Sequence, residues 1–255
     1  MLRYEATPPR ATLTIDDPDR RNPLSTEVMA GLRDALEAAG ADPDVRVVVI
    51  TGAGEKAFSA GGDLSGGFVD SPIALHDGRG ALADLFRAMR RLGKPTVARV
   101  NGHALGGGFG LAAACDVVIA ADHASLGTPE INVGLWPMMI SAVLLRTMPQ
   151  RAALELMLTG RRLSAEEARD LGVVSRVVPA AELDAAVDET VAALASRSPA
   201  VVKLGRDAFY AVADMDFDAA LEHLQNGLTA VALTEDAAEG IAAFIEKRDP
   251  EWKGR

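Results

Sequence analysis

The stretch VRVVVITG (45–52) is nearly unbroken in β-branched residues, as expected of a strand buried on both faces. ATLTIDD (11–17) alternates apolar and polar positions, and KPTVARVNG (94–102) and DVVIAAD (116–122) read as further strands. Between them the spacing turns helical. STEVMAGLRDALEAAG (25–40) opens on a Ser N-cap and closes at Gly40, and RGALADLFRAMRRLG (79–93) reads as a second helix. A third follows the glycine triplet at 106–108. Strand and helix in alternation predict an α/β fold with largely parallel pairing.

From about residue 138 the pattern becomes almost wholly helical. PAAELDAAVDETVAALASR (179–197), PAVVKLGRDAFYAVAD (199–214), DFDAALEHLQNGLTAVALT (216–234) and EDAAEGIAAFIEKR (235–248) are separated by Pro179, Pro199 and acidic N-caps. The expected organisation is an α/β core over 1–197 and a helical region over 198–255. The segment 65–80 is expected to be a mobile loop, where sequences vary most.

A chain of 255 residues with 49% hydrophobic residues is long enough to bury a sizeable core. Its formal charge of −10 argues against non-specific nucleic-acid binding. The opening residues carry acidic groups and no signal-like apolar run, and 131–145 is broken by Asn132, Pro137 and Ser141. No export signal or membrane span is expected, and a cytoplasmic location is. Cys115 stands alone and predicts a small buried residue. His76, His103, His123 and His223 lack metal-ligand spacing, so no metal is expected. GAGEKA (52–57) follows a strand as a dinucleotide fingerprint does, but AFSAGGDLSGG is too Gly-rich to be the helix that motif needs.

Three features carry chemistry. SAGGDL (59–64) and ALGGGFG (104–110) each close a loop after a predicted strand. If those strands are neighbours, both loops open at the carboxyl edge, where α/β proteins bind ligands. One backbone N–H from each could then meet a single oxygen, the second at a helix N-terminus. Either loop alone also fits a tight turn with close packing. The third feature is Glu130, set among Gly127, Thr128, Pro129, Ile131 and Val133. Desolvation there would raise its pKa and make it a usable base; an exposed helix-start glutamate is the other reading.

Taken together, these motifs resemble the crotonase superfamily, the enoyl-CoA hydratase/isomerase family. The likeness runs through RRNPLSTEV (20–28), FSAGGDL (58–64), VNGHALGGGFGLAAACDVVIAADHASLGTPEINVGL (100–135), LTGRRLSAEEARDLGVVSRVV (158–178) and FIEKR (244–248). The resemblance implies a crotonase-like spiral of ββα units with a C-terminal helical region that trimerises, often as a dimer of trimers. It implies an acyl-CoA thioester substrate, with coenzyme A entering as part of the substrate and no separate cofactor. The thioester oxygen would be held by the N–H groups of Gly62 and Gly107. Ala60 and Leu64 fall where the family lines the thioester and adenine, Asp63 among the positions that bind substrate, and Arg21 where the family meets the coenzyme's phosphates or adenine. Phe244 and Lys247 match positions that reach coenzyme A on a neighbouring subunit, although Lys247 also reads as a solvated helix-end lysine.

One departure bears on the reaction. Typical hydratases carry two glutamates, and the first of those positions is Gly110 here, which leaves Glu130. Adding water suits two carboxylates, whereas moving a double bond needs one base that takes a proton at Cα and returns it at Cγ. The pattern is therefore more similar to Δ3,Δ2-enoyl-CoA isomerases, with a hydratase, or a member that binds acyl-CoA without turnover, as alternatives. Hydroxyacyl-CoA hydrolases and dienoyl-CoA isomerases place an acid at the position of Met138. Trp136, Met138 and Met139 read as acyl-pocket lining or as core.

Overall fold

The computed structural model describes residues 1–63 and 72–255. Four times in succession the chain makes two or three strands and then a helix. The first unit is β1 (Leu2–Thr7), its antiparallel partner β2 (Arg10–Ile15), β3 (Pro23–Leu24) and α1 (Thr26–Ala41). The second comprises β4 (Val47–Gly52), β5 (Ala57–Ser59), β6 (Gly61–Gly62) and α2 (Pro72–Arg91). The third is β7 (Thr96–Val100), β8 (His103–Leu105) and α3 (Gly107–Ala113). The fourth is β9 (Val117–Ala121), β10 (Ser125–Gly127), a 3-10 turn over Pro129–Val133 and α4 (Met138–Thr147).

Leading strands collect in one sheet and following strands in another, which is the spiral that the resemblance implies. The six-stranded sheet runs β1-β2-β4-β7-β9-β12, with β12 at Arg176–Val178. The four-stranded sheet runs β11-β10-β8-β5, with β11 at Arg162–Ser164. β3 pairs with β6 in a small third sheet. Every residue of β4 is buried, as its unbroken β-branched run requires. On one face of the main sheet Val48, Ile50, Ala98 and Val100 pack against α1 residues Leu32 and Leu36; on the other, Val47, Val49 and Val97 meet Val187 and Val191.

The remaining elements are α5 (Gln150–Thr159), α6 (Ala165–Asp170), α7 (Leu183–Ala195), α8 (Pro199–Val212), α9 (Phe217–Ala232) and α10 (Glu235–Glu246). Ser198, Asp216 and Thr234 cap the last three, each side chain accepting a helix N–H. α8 is tied to the core by Arg206, whose side chain is 7% exposed and pairs with Asp116 at 2.9 Å. Arg206 also donates to the carbonyls of Met89 and Arg90, and Tyr210 Oη donates to Asp116. By contrast, α9 buries no residue completely. Its Phe217, Leu228 and the following Leu233, with Ile241, Phe244 and Ile245 of α10, stand exposed.

Two expectations need correction. Residues 72–80 are helical, because α2 begins at Pro72; Pro is tolerated in a first turn, while Gly78 and Gly80 weaken the helical signal in the sequence. Residues 65–71 of the expected loop lie outside the described residues. The second half is also not wholly helical. β11 and β12 have three residues each, too few for periodicity to show, and are held by pairing with β10 and β9.

Candidate active site

β4 and β7 are parallel neighbours, as the convergence of the two loops requires. The loops nevertheless open from the shorter strands that follow, β5 and β8, which pair in parallel in the second sheet. β10 lies on the far side of β8. The ends of β5, β8 and β10 therefore deliver, in spatial order, Gly62, Gly107 and Glu130. Neighbouring strands lie about 4.8 Å apart. Two N–H groups meeting one oxygen at about 2.9 Å each must lie within roughly 5.8 Å of one another. Donors borne on adjacent strands satisfy this without distortion.

Both amides are turned to use. Asp63 N–H donates to the Leu24 carbonyl across the β3–β6 pair at 3.3 Å. Successive amides of an extended chain point to opposite sides, so Gly62 N–H points away from β3. Its nitrogen lies 3.8 Å from the Cβ position of Gly107. Gly107 is the first residue of α3, and the first intrahelical bond is donated by Gly110 to Gly106. The Gly107 amide thus belongs to the unpaired donors of a helix N-terminus, where developing negative charge is favoured.

Each member of the glycine triplet has a separate reason. Gly106 has φ +54° and ψ −125°, a conformation L-residues avoid. Its Cβ position is 2.8 Å from Glu130 Oε1. Gly107 has the Leu24 and Leu82 side chains and the Gly62 nitrogen nearest its Cβ position, at 3.3–3.8 Å. Gly108 packs on Ser59, whose Cβ and carbonyl oxygen each lie 2.6 Å from its Cβ position. Close packing and close ligand approach both operate, at adjacent residues.

Glu130 sits in the 3-10 turn. Desolvation pushes its pKa up, partly offset by its own backbone N–H. Its Oε2 and the Thr128 hydroxyl are buried without a hydrogen-bond partner among the described residues. An unpartnered buried carboxylate oxygen is costly, and it is the form a base takes when its proton comes from a ligand. The exposed-glutamate reading does not fit. Gly110, one turn into α3, faces Ile140 of α4 and Phe86 of α2.

Other predicted residues are dispersed. Ala60 N–H donates to the Arg21 carbonyl at 2.9 Å. Asp63 pairs with Arg20 at 2.5 Å, a cation that sequence reasoning passed over. Arg21 has φ +63° and lines a cavity of about 800 Å³ with Lys56, Arg99, Asn101, His103 and His123. Leu64 lies outside the described residues. Trp136 and Met139 pack against the main core, while Met138 is 68% exposed. Phe244 is 85% exposed, and Lys247 caps α10 at φ +56°.

Sequence reasoning also missed two asparagines that hold the GAGEKA loop. Asn22 donates to the carbonyls of Ala53 and Ala57, and Asn101 to those of Gly54 and Ala57. Asn22 lies in the quoted RRNPLSTEV motif; its burial needed the fold to be seen. Among the described residues no three His, Cys, Asp or Glu side chains converge as metal ligands do, and no helix is long and apolar enough to cross a membrane.

The geometry suits chemistry that places negative charge on one oxygen while a nearby base moves a proton. Comparison with known proteins points the same way. The family model described as enoyl-CoA hydratase/isomerase matches residues 10–255. A carnitinyl-CoA dehydratase of Salmonella arizonae is 38% identical, over 99% of this chain and 98% of that protein. The fold is similar to crystal structures of enoyl-CoA hydratases. One, from Mycobacterium smegmatis, has a TM-score of 0.95 at 33% identity, covering 98% of both chains. Another, from Bacillus anthracis, has 0.94 at 34% identity, covering 100% of this chain and 99% of that one.

Proposed function

The chain belongs to the enoyl-CoA hydratase/isomerase family, and within it we propose an isomerase that converts 3-enoyl-CoA to 2-enoyl-CoA. The carrying observation is that the first glutamate position of the hydratases is Gly110, closed by side chains of α2 and α4, while Glu130 keeps an unpartnered oxygen. Glu130 takes a proton from Cα of the thioester. The electron pair moves onto the carbonyl oxygen, held by the amides of Gly62 and Gly107, and the same carboxylic acid returns a proton at Cγ. Losing one such donor typically costs about 10²–10³ in rate.

The coenzyme's place is part of this reading. Ala60 lines the thioester and adenine side, Asp63 contributes to coenzyme A binding, and Arg21 meets the phosphates or adenine. Phe244 and Lys247 reach coenzyme A on a neighbouring subunit, which the exposed apolar face of α9 and α10 accommodates in a homotrimer or a dimer of trimers. Trp136 and Met138 border the acyl chain. No separate cofactor is required.

A panel of purified protein with 3-enoyl-CoA, 2-enoyl-CoA and 3-hydroxyacyl-CoA, with Glu130→Gln in parallel, tests the proposal. Interconversion of 3-enoyl-CoA and 2-enoyl-CoA is expected, with no 3-hydroxyacyl-CoA formed or consumed, and it is lost in the variant. Equal turnover by the variant removes Glu130 from the mechanism. The relatives named hydratase and dehydratase favour a second reading, in which Glu130 takes the α-proton and a 3-hydroxyl leaves as water. Exchange of water with 2-enoyl-CoA replaces the isomerase by that lyase.

A further inference from the structure

We propose that Ile140, backed by Phe86, sets the reaction outcome by occupying the volume that a second carboxylate would need. The inference rests on the single-base reading above and goes to why the site holds one base. Gly107 and Gly110 are three residues apart in α3 and so share a face of the helix. A side chain at 110 would rise beside the donor amide.

That place is filled. A Cβ on Gly110 would lie 2.3 Å from Ile140 Cγ2, 2.8 Å from Ile140 Cβ and 3.1 Å from Phe86 Cζ. Rotating Ile140 relieves the first contact. The second does not yield to rotation, because Cβ is fixed to the backbone of α4. Accommodating a side chain at 110 therefore needs a large displacement of α4 while the γ carbons of Ile140 are present, and only a small one once they are removed. Ile140 is 2% exposed and belongs to the main core with Leu111 and Leu144, and such interiors are close-packed and resist displacement.

The wall has two chemical effects. It excludes a carboxylate placed to take a proton from water. It also presents apolar atoms, which offer an ordered water no partner. Glu130 is left to carry a proton between two carbons.

Two sets of variants test this. Gly110→Ala, Ile140→Ala and their combination form a melting cycle that needs no substrate. Gly110→Ala is expected to lower the apparent melting temperature by about 2–12 °C, the usual range for overpacking in a domain of this size. The double variant is expected to melt above Gly110→Ala, because Ile140→Ala removes the closer contact. Gly110→Ala melting with the unaltered protein, or a double variant melting no higher than Gly110→Ala, overturns the packing claim.

The second set places Gly110→Glu in both backgrounds and follows water addition to 2-enoyl-CoA. In that reaction the new carboxylate takes a proton from water, whose oxygen bonds to C3. The C2=C3 pair moves to C2, which takes the proton of Glu130. Hydration at least tenfold above the unaltered enzyme is expected in Gly110→Glu/Ile140→Ala and not in Gly110→Glu alone. A folded double variant that adds no water, or a single variant that adds it as fast, overturns the role given to Ile140. Hydration by the unaltered enzyme is read in its own arm and counts against the single-base reading instead.

Discussion

Glu130 Oε1 stands 2.8 Å from the point at which a side chain on Gly106 would begin. Base and oxyanion loop therefore share one volume, and a methyl group at 106 displaces the carboxylate. Gly106→Ala is also strained, since φ is +54° there, at a cost of about 1–3 kcal/mol. We expect a folded protein with kcat reduced about 10²-fold, the scale set by a misplacement near 1 Å. Steady-state kinetics with circular dichroism check it; unchanged kcat in a folded variant removes the steric link.

Glu130→Gln separates chemistry from stability. The proposed general-base role predicts a loss of about 10²–10⁴ in kcat. Stability moves the other way. Burial raises the folded-state pKa above the unfolded one, so the residue's favourable contribution is present below the unfolded pKa and lost as pH rises through the folded value. Above both values the carboxylate is a burden, and at pH 8 Glu130→Gln should melt no lower than the parent protein.

The same shift fixes the pH profile. A base works when ionised, so kcat/KM should rise with pH on an acid limb whose apparent pKa lies above the ordinary glutamate value of 4.5. A limb at or below 4.5 assigns the proton to another group.

Arg206→Ala tests the tie between α8 and the core. It removes the 7% exposed charged partner of Asp116 and leaves that carboxylate the Tyr210 hydroxyl and Thr96 as donors. The loss should therefore stay within about 3–5 kcal/mol, the cost of a fully broken buried pair. Urea denaturation should show the midpoint falling accordingly; a shift under 1 kcal/mol would mean that water replaces the guanidinium.

Leu228→Asp addresses assembly. Leu228 is 69% exposed on a helix with no fully buried residue, and a carboxylate at the centre of an apolar interface opposes association. Sedimentation should report a multimer for the parent and smaller species for the variant.

The sequence disclosed what long-range order leaves in local pattern. VRVVVITG declares burial by composition, and Ser25 caps α1 by its own chemistry, while the helix runs past the expected stop at Gly40 to Ala41 and ends on Asp42. Glu130 and the two glycine loops were legible as separate parts. Their convergence was expected only on the condition that the two predicted strands were neighbours, and from the resemblance. The strands that lead into it, β5, β8 and β10, have three residues each and take their identity from pairing. Arg20 and Ile140 were invisible for a related reason. One is an arginine beside another, and the other is an ordinary core isoleucine until the space above Gly110 is measured.

The three proposed reacting groups belong to three consecutive turns of the spiral, following the strands β5, β8 and β10. Catalytic competence is consequently an all-or-none reporter of assembly. A chain stopped before Glu130 owns both donors and no base, and a chain whose β10 has not docked owns all three groups and no site. During refolding, recovered turnover marks the closure of the second sheet and not the earlier appearance of helix.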